Sequence, residues 1–303
     1  MSSRAVRLVS VLFFCSTLLA AAQVDIRVGT TLVVVPVTVT DAHNRFVLGL
    51  EKKDFTLSED GVEQKISQFA GENAPVSAGL LVDTSGSMGA KIEISRQAVK
   101  QFLKTMEAQD EACLIEFGDQ AKLIQDFSSD TGAIENRLTD IEPQGLTALL
   151  DAVSLGLGEM KKAKTARKAL LIISDGGDNN SRYTSAQIKE LVRQADVQVY
   201  SMGVFERFSM LALSAAEVSG PKLLTELSDQ TGGRVFPTSS ADDLPAIAAR
   251  IGIELRNQYV LAYVPSNHKK DGKYRNVTVK LQVPPGLTGL KTRWRPGYYA
   301  PTD

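Results

Sequence analysis

Three oxygen-bearing side chains stand at alternate positions in Asp83-Thr84-Ser85-Gly86-Ser87. One curved loop can turn all three toward a single point. Hard oxygen donors, with no histidine or cysteine among them, suit Mg²⁺ or a similar cation rather than zinc. Taken alone, the pattern reads first as a helix start, because Asp and Ser are favoured N-caps. Two further stretches offer donors of the same kind. Thr147 lies in Gly145-Leu146-Thr147-Ala148-Leu149, and Asp175 follows the apolar run Leu170-Leu171-Ile172-Ile173-Ser174.

These donors need elements to position them. Residues 76–82 form an apolar run that breaks off at Asp83, and Ile92, Val99, Phe102, Leu103 and Met106 follow at helical spacing. A strand, a polar loop and a helix in that order place the loop at the carboxyl edge of a sheet, where α/β folds bind ligands. Apolar runs at 112–117, 169–174 and 197–204 read as buried strands, and 121–127, after Gly118-Asp119, as the return leg of a hairpin. Helical patterns fall at 92–106, 131–138, 148–160, 185–195, 222–230 and 242–255. The alternation predicts an α/β, doubly wound, mainly parallel sheet covered on both faces. The stretch 205–220 follows a strand end, and so belongs to the same edge, either shaping the binding face or only connecting elements.

The flanks read as β. In 32–40, rich in valine, Pro36 points to an edge or a bulge. The turn 41–45 follows, and 55–58 and 62–69 flank Glu59-Asp60-Gly61, a hairpin signal. Beyond Asn257, 259–264 reads as a strand, 265–272 as a turn holding His268, and 292–298, with Trp294, as a last strand. Between them Val277, Val279, Leu281 and Val283 alternate with polar residues. A lone hairpin is marginal in water, so both flanks are expected to pack into one β-sandwich. The predicted organisation is 1–22 signal peptide, 23–73 N-terminal β segment, 74–256 α/β domain, and 257–303 C-terminal β segment packing with the N-terminal one.

The leader reading rests on Arg4 and Arg7, an apolar stretch 8–19 and Ala20-Ala21-Ala22 before Gln23. It implies a secreted or periplasmic protein, with no transmembrane segment after cleavage. Cys15 lies within the leader, so cleavage leaves Cys113, in an apolar run, as a buried thiol without a disulfide partner. The 303 residues carry a formal net charge of −1, which argues against nucleic acid or an anionic membrane as a bulk electrostatic partner.

Asp83-Thr84-Ser85-Gly86-Ser87, Thr147 and Asp175 together resemble the metal-ion-dependent adhesion site of von Willebrand factor type A domains, in order and in element. The whole length past the leader is similar to secreted bacterial VWFA-related proteins of the type named for acidobacteria, through Phe55 to Gly61 and the closing Gly297-Tyr298. The resemblance implies a Rossmann-like fold and the metal ligands Asp83, Ser85, Ser87, Thr147 and Asp175. In it Ser85 and Ser87 bind the ion directly, Thr147 changes with state, and the two aspartates balance its charge and hold its waters. The ion is Mg²⁺, or Mn²⁺ or Ca²⁺, and its open position takes an Asp or Glu carboxylate from a protein partner. Leu146 replaces a glycine common at that point in the family. Asp178 and Glu93 read as solvated charges rather than ligands.

An exported binding module, not an enzyme, is therefore the expected function. One alternative is a metal- or serine-dependent hydrolase using the same loop. However, the only histidines, His43 and His268, fall in predicted turns, and no Gly-x-Ser-x-Gly elbow surrounds either serine. Another is a structural envelope protein with a vestigial metal site. The sequons at Asn179 and Asn276 carry no argument.

Overall fold

The protein's structure is a computed structural model describing residues 32–71, 74–204, 215–282 and 288–302. Residues 31–303 group as one compact unit. Its first strands are β1 (Val33–Thr40), β2 (Phe55–Glu59), β3 (Val62–Gln64) and β4 (Ile66–Ala70). Asp60 and Gly61 take φ of 47° and 83°, the left-handed pair that a tight hairpin turn between β2 and β3 requires.

The middle of the chain alternates strand and helix: β5 (Val76–Asp83), α1 (Ile92–Leu103), β6 (Glu111–Phe117), β7 (Ala121–Ser128), α2 (Thr131–Leu138), α3 (Leu149–Glu159), β8 (Arg167–Ser174), α4 (Ser185–Gln194), β9 (Gln198–Val204), α5 (Ala215–Asp229), β10 (Val235–Thr238) and α6 (Leu244–Arg256). The six strands form one sheet in the order β10-β9-β8-β5-β6-β7. All neighbours run parallel except β6 and β7. Every residue of β5 is buried, as the centre of a doubly covered sheet demands. Its alternate side chains serve opposite cores. Leu80 and Val82 pack with α1, α2 and α6, while Leu81 packs with α3, α4 and α5.

After α6 the chain returns to β structure with β11 (Tyr259–Tyr263), β12 (Tyr274–Leu281), β13 (Lys291–Trp294) and β14 (Gly297–Tyr299). Strands from both flanks interleave in two four-stranded sheets, β13-β1-β11-β4 and β14-β12-β2-β3. One core containing Val35, Val37, Leu57, Tyr259, Leu261 and Val279 joins them. Glu59 is buried in the second sheet and accepts hydrogen bonds from Tyr263 (2.7 Å) and Tyr298 (2.8 Å).

Arg167, 1% exposed at the start of β8, ties the flanking sheets to the parallel one. Its guanidinium donates to the carbonyls of Gly71 and Ala74 ahead of β5, of Leu255 and Arg256 at the end of α6, and of Gln258 at 2.5 Å. The last carbonyls of α6 lack helical partners, and the arginine supplies donors for them.

Several expected elements differ from those observed. The stretch 62–69 breaks at Lys65 into β3 and β4, and 292–298 breaks at Arg295-Pro296 into β13 and β14; each pair is divided between the two sheets. Arg295 turns away to bond Asp196 and the Arg193 carbonyl, and Pro296 lacks an amide for the ladder. β1 is an interior strand, between β13 and β11, and Pro36 lies one residue beyond the end of its pairing with β13. β10 was not anticipated because Pro237 interrupts its pattern; it sits on the sheet edge, where proline is tolerated. α5 begins at Ala215 and contains Pro221, whereas the periodicity pointed to a start after that proline. α1 stops at Leu103 rather than Met106. The leader 1–22, residues 205–214 and Val283 lie outside the described residues.

Candidate functional site

The carboxyl edge of the parallel sheet carries all five expected ligands, Asp83, Ser85, Ser87, Thr147 and Asp175. β5 ends at Asp83, whose Oδ1 accepts from the Ser85 amide at 2.9 Å, so the chain curls back in a tight Asx turn. Ser85 Oγ lies 3.1 Å from Ser87 Oγ. The helix-start alternative finds no bond here: Ser85, before the 3₁₀ turn Gly86–Lys91, and Lys91, before α1, make no side-chain cap bond. The carboxylate therefore organises its own loop.

β8 delivers the second group. Ser174 Oγ donates to Asp83 Oδ2 at 2.6 Å and accepts from the Gly176 amide at 2.9 Å. Asp175 follows, with Oδ1 accepting from the Gly177 amide at 3.2 Å. Thr147 comes from the loop before α3. Its amide donates to Asn179 Oδ1 at 2.8 Å, and its carbonyl accepts from the amides of Asn179 and Asn180. The Gly145 carbonyl accepts from the Gly86 amide at 3.1 Å, and the Gln144 amide donates to the Thr84 carbonyl at 2.8 Å. The Thr147 loop is thus hydrogen-bonded both to the loop after Asp83 and to the turn after Asp175.

Asp83 is 0% exposed, Ser85 1%, Thr147 5% and Asp175 9%, whereas Ser87 is exposed. Of the five, only Ser87 is exposed to solvent. Burial pushes the Asp83 carboxyl up to about 6; hydrogen bonds from Ser174 and Ser85 oppose this, and the charge of Asp175 adds to it. Among the described residues, neither aspartate has an ion pair with a basic side chain. No group of three or more His, Cys, Asp or Glu able to hold a metal occurs among them either. Two carboxylates and the hydroxyls of Ser85, Ser87 and Thr147 would together make the hard, sparsely charged donor set that Mg²⁺ accepts.

Asp178 differs from the expected solvated charge. It is half-buried, and its Oδ1 accepts from the Leu150 amide (3.2 Å) and Ser181 Oγ (2.5 Å), so it caps α3 from a distant loop. Burial raises its carboxyl above the usual range. Glu93 is exposed and pairs with Arg96 at 3.0 Å. Sequence reasoning missed Ser174, which reads as the last residue of an apolar strand, and Asn179, which drew notice only as a sequon. It also missed Asp119 on the β6–β7 turn, whose Oδ1 accepts from the Leu146 amide at 2.7 Å.

Residues 79–177, from β5 through the turn after Asp175, match the family model of the von Willebrand factor type A domain. The chain carries a von Willebrand factor type A domain. The fold agrees with solved domains of this kind. One, from Catenulispora acidiphila, superposes with a TM-score of 0.53 at 13% identity over 90% of this chain and 64% of that one. Another, proximal thread matrix protein 1 from the mussel byssus with a zinc-occupied MIDAS motif, superposes with a TM-score of 0.51 at 18% identity, over 65% of this chain and 49% of that one. In sequence, an uncharacterized protein of Borreliella burgdorferi is 26% identical over 178 residues, 52% of each chain. Inter alpha-trypsin inhibitor heavy chain 4 of Mus musculus is 28% identical over 153 residues, 45% of this chain and 16% of that protein. The matches thus span about half of the first relative and a small part of the second.

Proposed function

We propose that the type A domain is a metal-dependent binding module, in which Asp83, Ser85, Ser87, Thr147 and Asp175 hold a divalent cation that captures a partner's Asp or Glu carboxylate. The observation that carries this reading is Asp83: a fully buried carboxylate near a second one, with no basic side chain among the described residues paired to either. A buried charge without a counterion is costly, and a cation bound there would supply one. Two aspartates balance a divalent ion, while the uncharged hydroxyls leave it attractive to an incoming carboxylate. The zinc-occupied MIDAS motif of the mussel protein supports a divalent ion here; the hydroxyl-rich donor set favours Mg²⁺ or Mn²⁺.

Type A domains are generally binding modules, which supports a non-enzymatic role. The hydrolase reading needs a base near Ser85 or Ser87. His43 and His268 are exposed residues of the turns that follow β1 and β11, in the flanking sheets. The leader sequence supports export, so the partner is sought outside the cytoplasm. No helix among the described residues is long and apolar enough to cross a membrane.

Calorimetric titration of the purified protein with Mg²⁺ and Mn²⁺ tests the metal, with saturable binding expected for wild type and lost in Asp83→Ala. Equal binding by both removes the reading. Partner capture from envelope extract should disappear with a chelator; capture that survives chelation favours a structural role for the β edges.

A further inference from the structure

We propose that Asp119, outside the five-residue donor set, is the positioning residue that sets the place of Thr147; this rests on the metal-binding reading above. Residues 139–148 form no helix or strand, so the loop takes its shape from groups that other elements present to it. Leu146, beside Thr147, is 48% exposed and cannot anchor the loop by apolar burial. The Asp119 carboxylate does so instead, taking the Leu146 amide at 2.7 Å. It lies flush against Gly145, whose φ is +76°, and a Cβ there would meet Asp119 Oδ1 at 2.4 Å. Only glycine lets the carboxylate come this close.

The same residue reaches the third loop. The Asp119 carbonyl accepts from Asn180 Nδ2 at 2.8 Å, and Asn179 Oδ1 takes the Thr147 amide at 2.8 Å. Two successive amides, of Leu146 and Thr147, are therefore each held by a side chain from another loop, and Asp119 touches both loops. An octahedral ion tolerates little misplacement of a ligand, so loosening one clamp should register as lost affinity.

The test compares wild type, Asp119→Ala and Asp119→Asn. The first readout is Mn²⁺ affinity by calorimetry, the second is hydrogen exchange of the Leu146 amide in metal-free protein, and the third is the metal-free urea midpoint. Asp119→Ala should weaken Mn²⁺ by about tenfold, or about 1.4 kcal/mol, and speed Leu146 exchange by a similar factor, with the urea midpoint nearly unchanged. Asp119→Asn keeps an Oδ1 acceptor and should restore both. Undiminished Mn²⁺ binding by Asp119→Ala, or failure of Asn to rescue, overturns the assignment while leaving the metal reading standing. Absence of Mn²⁺ binding in wild type removes the metal reading and this inference with it.

Discussion

Ser174 closes β8 with its hydroxyl 2.6 Å from Asp83 Oδ2, at the end of the neighbouring strand β5. The two strands are paired in register up to Val82 and Ile173, so the bond joins the first residues to leave the ladder. It fixes the Asp83 carboxylate from below and leaves Oδ1 to shape the loop above.

Ser174→Ala should remove this bond while sparing the packing around it. Hydrogen bonds to charged groups contribute about 1.5–3 kcal/mol, and the metal-free protein should lose stability of that order in urea denaturation at neutral pH. The loss should shrink in acid, where the Asp83 carboxyl is protonated. A variant as stable as wild type would show that the contact carries no energy.

Asp83 sets a pH dependence of the metal-free fold. Its carboxyl sits at about 6 in the folded chain, against 3.8 as the ordinary value. The folded state therefore binds the proton more tightly than the unfolded one. This contribution is fully present below about pH 4 and lost as pH rises through about 6, a difference of roughly 3 kcal/mol. Asp83→Asn should abolish the dependence over that window and should match or exceed wild-type stability at neutral pH. Urea midpoints across the range, with chelator present, check this; parallel profiles for the two proteins would refute it.

Arg167→Ala should be among the most damaging single changes. It would strip donors from five carbonyls, two buried and three part-buried, at the seam between the parallel sheet and the flanking sheets. Loss of this magnitude is about 3–5 kcal/mol. Lysine should not rescue, because one ammonium cannot reproduce the planar fork. Denaturant melts of the three proteins decide it.

Cys113 is fully buried, and burial pushes its thiol up to about 12, with a further contribution from the Glu159 charge. It should resist a thiol-specific reagent in mildly alkaline buffer and react stoichiometrically once the protein is unfolded. Rapid labelling of the native protein would contradict the burial.

The parallel sheet was legible because continuous apolar runs such as Leu80-Leu81-Val82 and Leu170-Leu171-Ile172-Ile173 are the signature of strands covered on both faces. The candidate ligands Asp83, Ser85 and Ser87 stand out because they crowd into one loop, and Thr147 and Asp175 because each adjoins a strong strand or helix pattern. Other parts were hidden. Ser174 and Asp119 act through bonds to residues 91 and 27 positions away, which no local pattern records. The breaks at Lys65 and at Arg295-Pro296 divide continuous β patterns between two sheets, a choice made by tertiary pairing. Asp178 looks like any acidic turn residue until α3 is seen to present the Leu150 amide to it.

The seam at Arg167 has a consequence for reach. β8 spans eight residues from Arg167 to Ser174, so at roughly 3.3 Å per residue the seam and the Asp83 loop lie about 25 Å apart. The chain enters the parallel sheet before Val76 and leaves its last covering helix after Arg256, both at the Arg167 end. The flanking strands therefore join this part of the chain at its base, one strand's length from the Asp83 loop. The chain connections and the candidate ligands thus occupy opposite edges of one sheet.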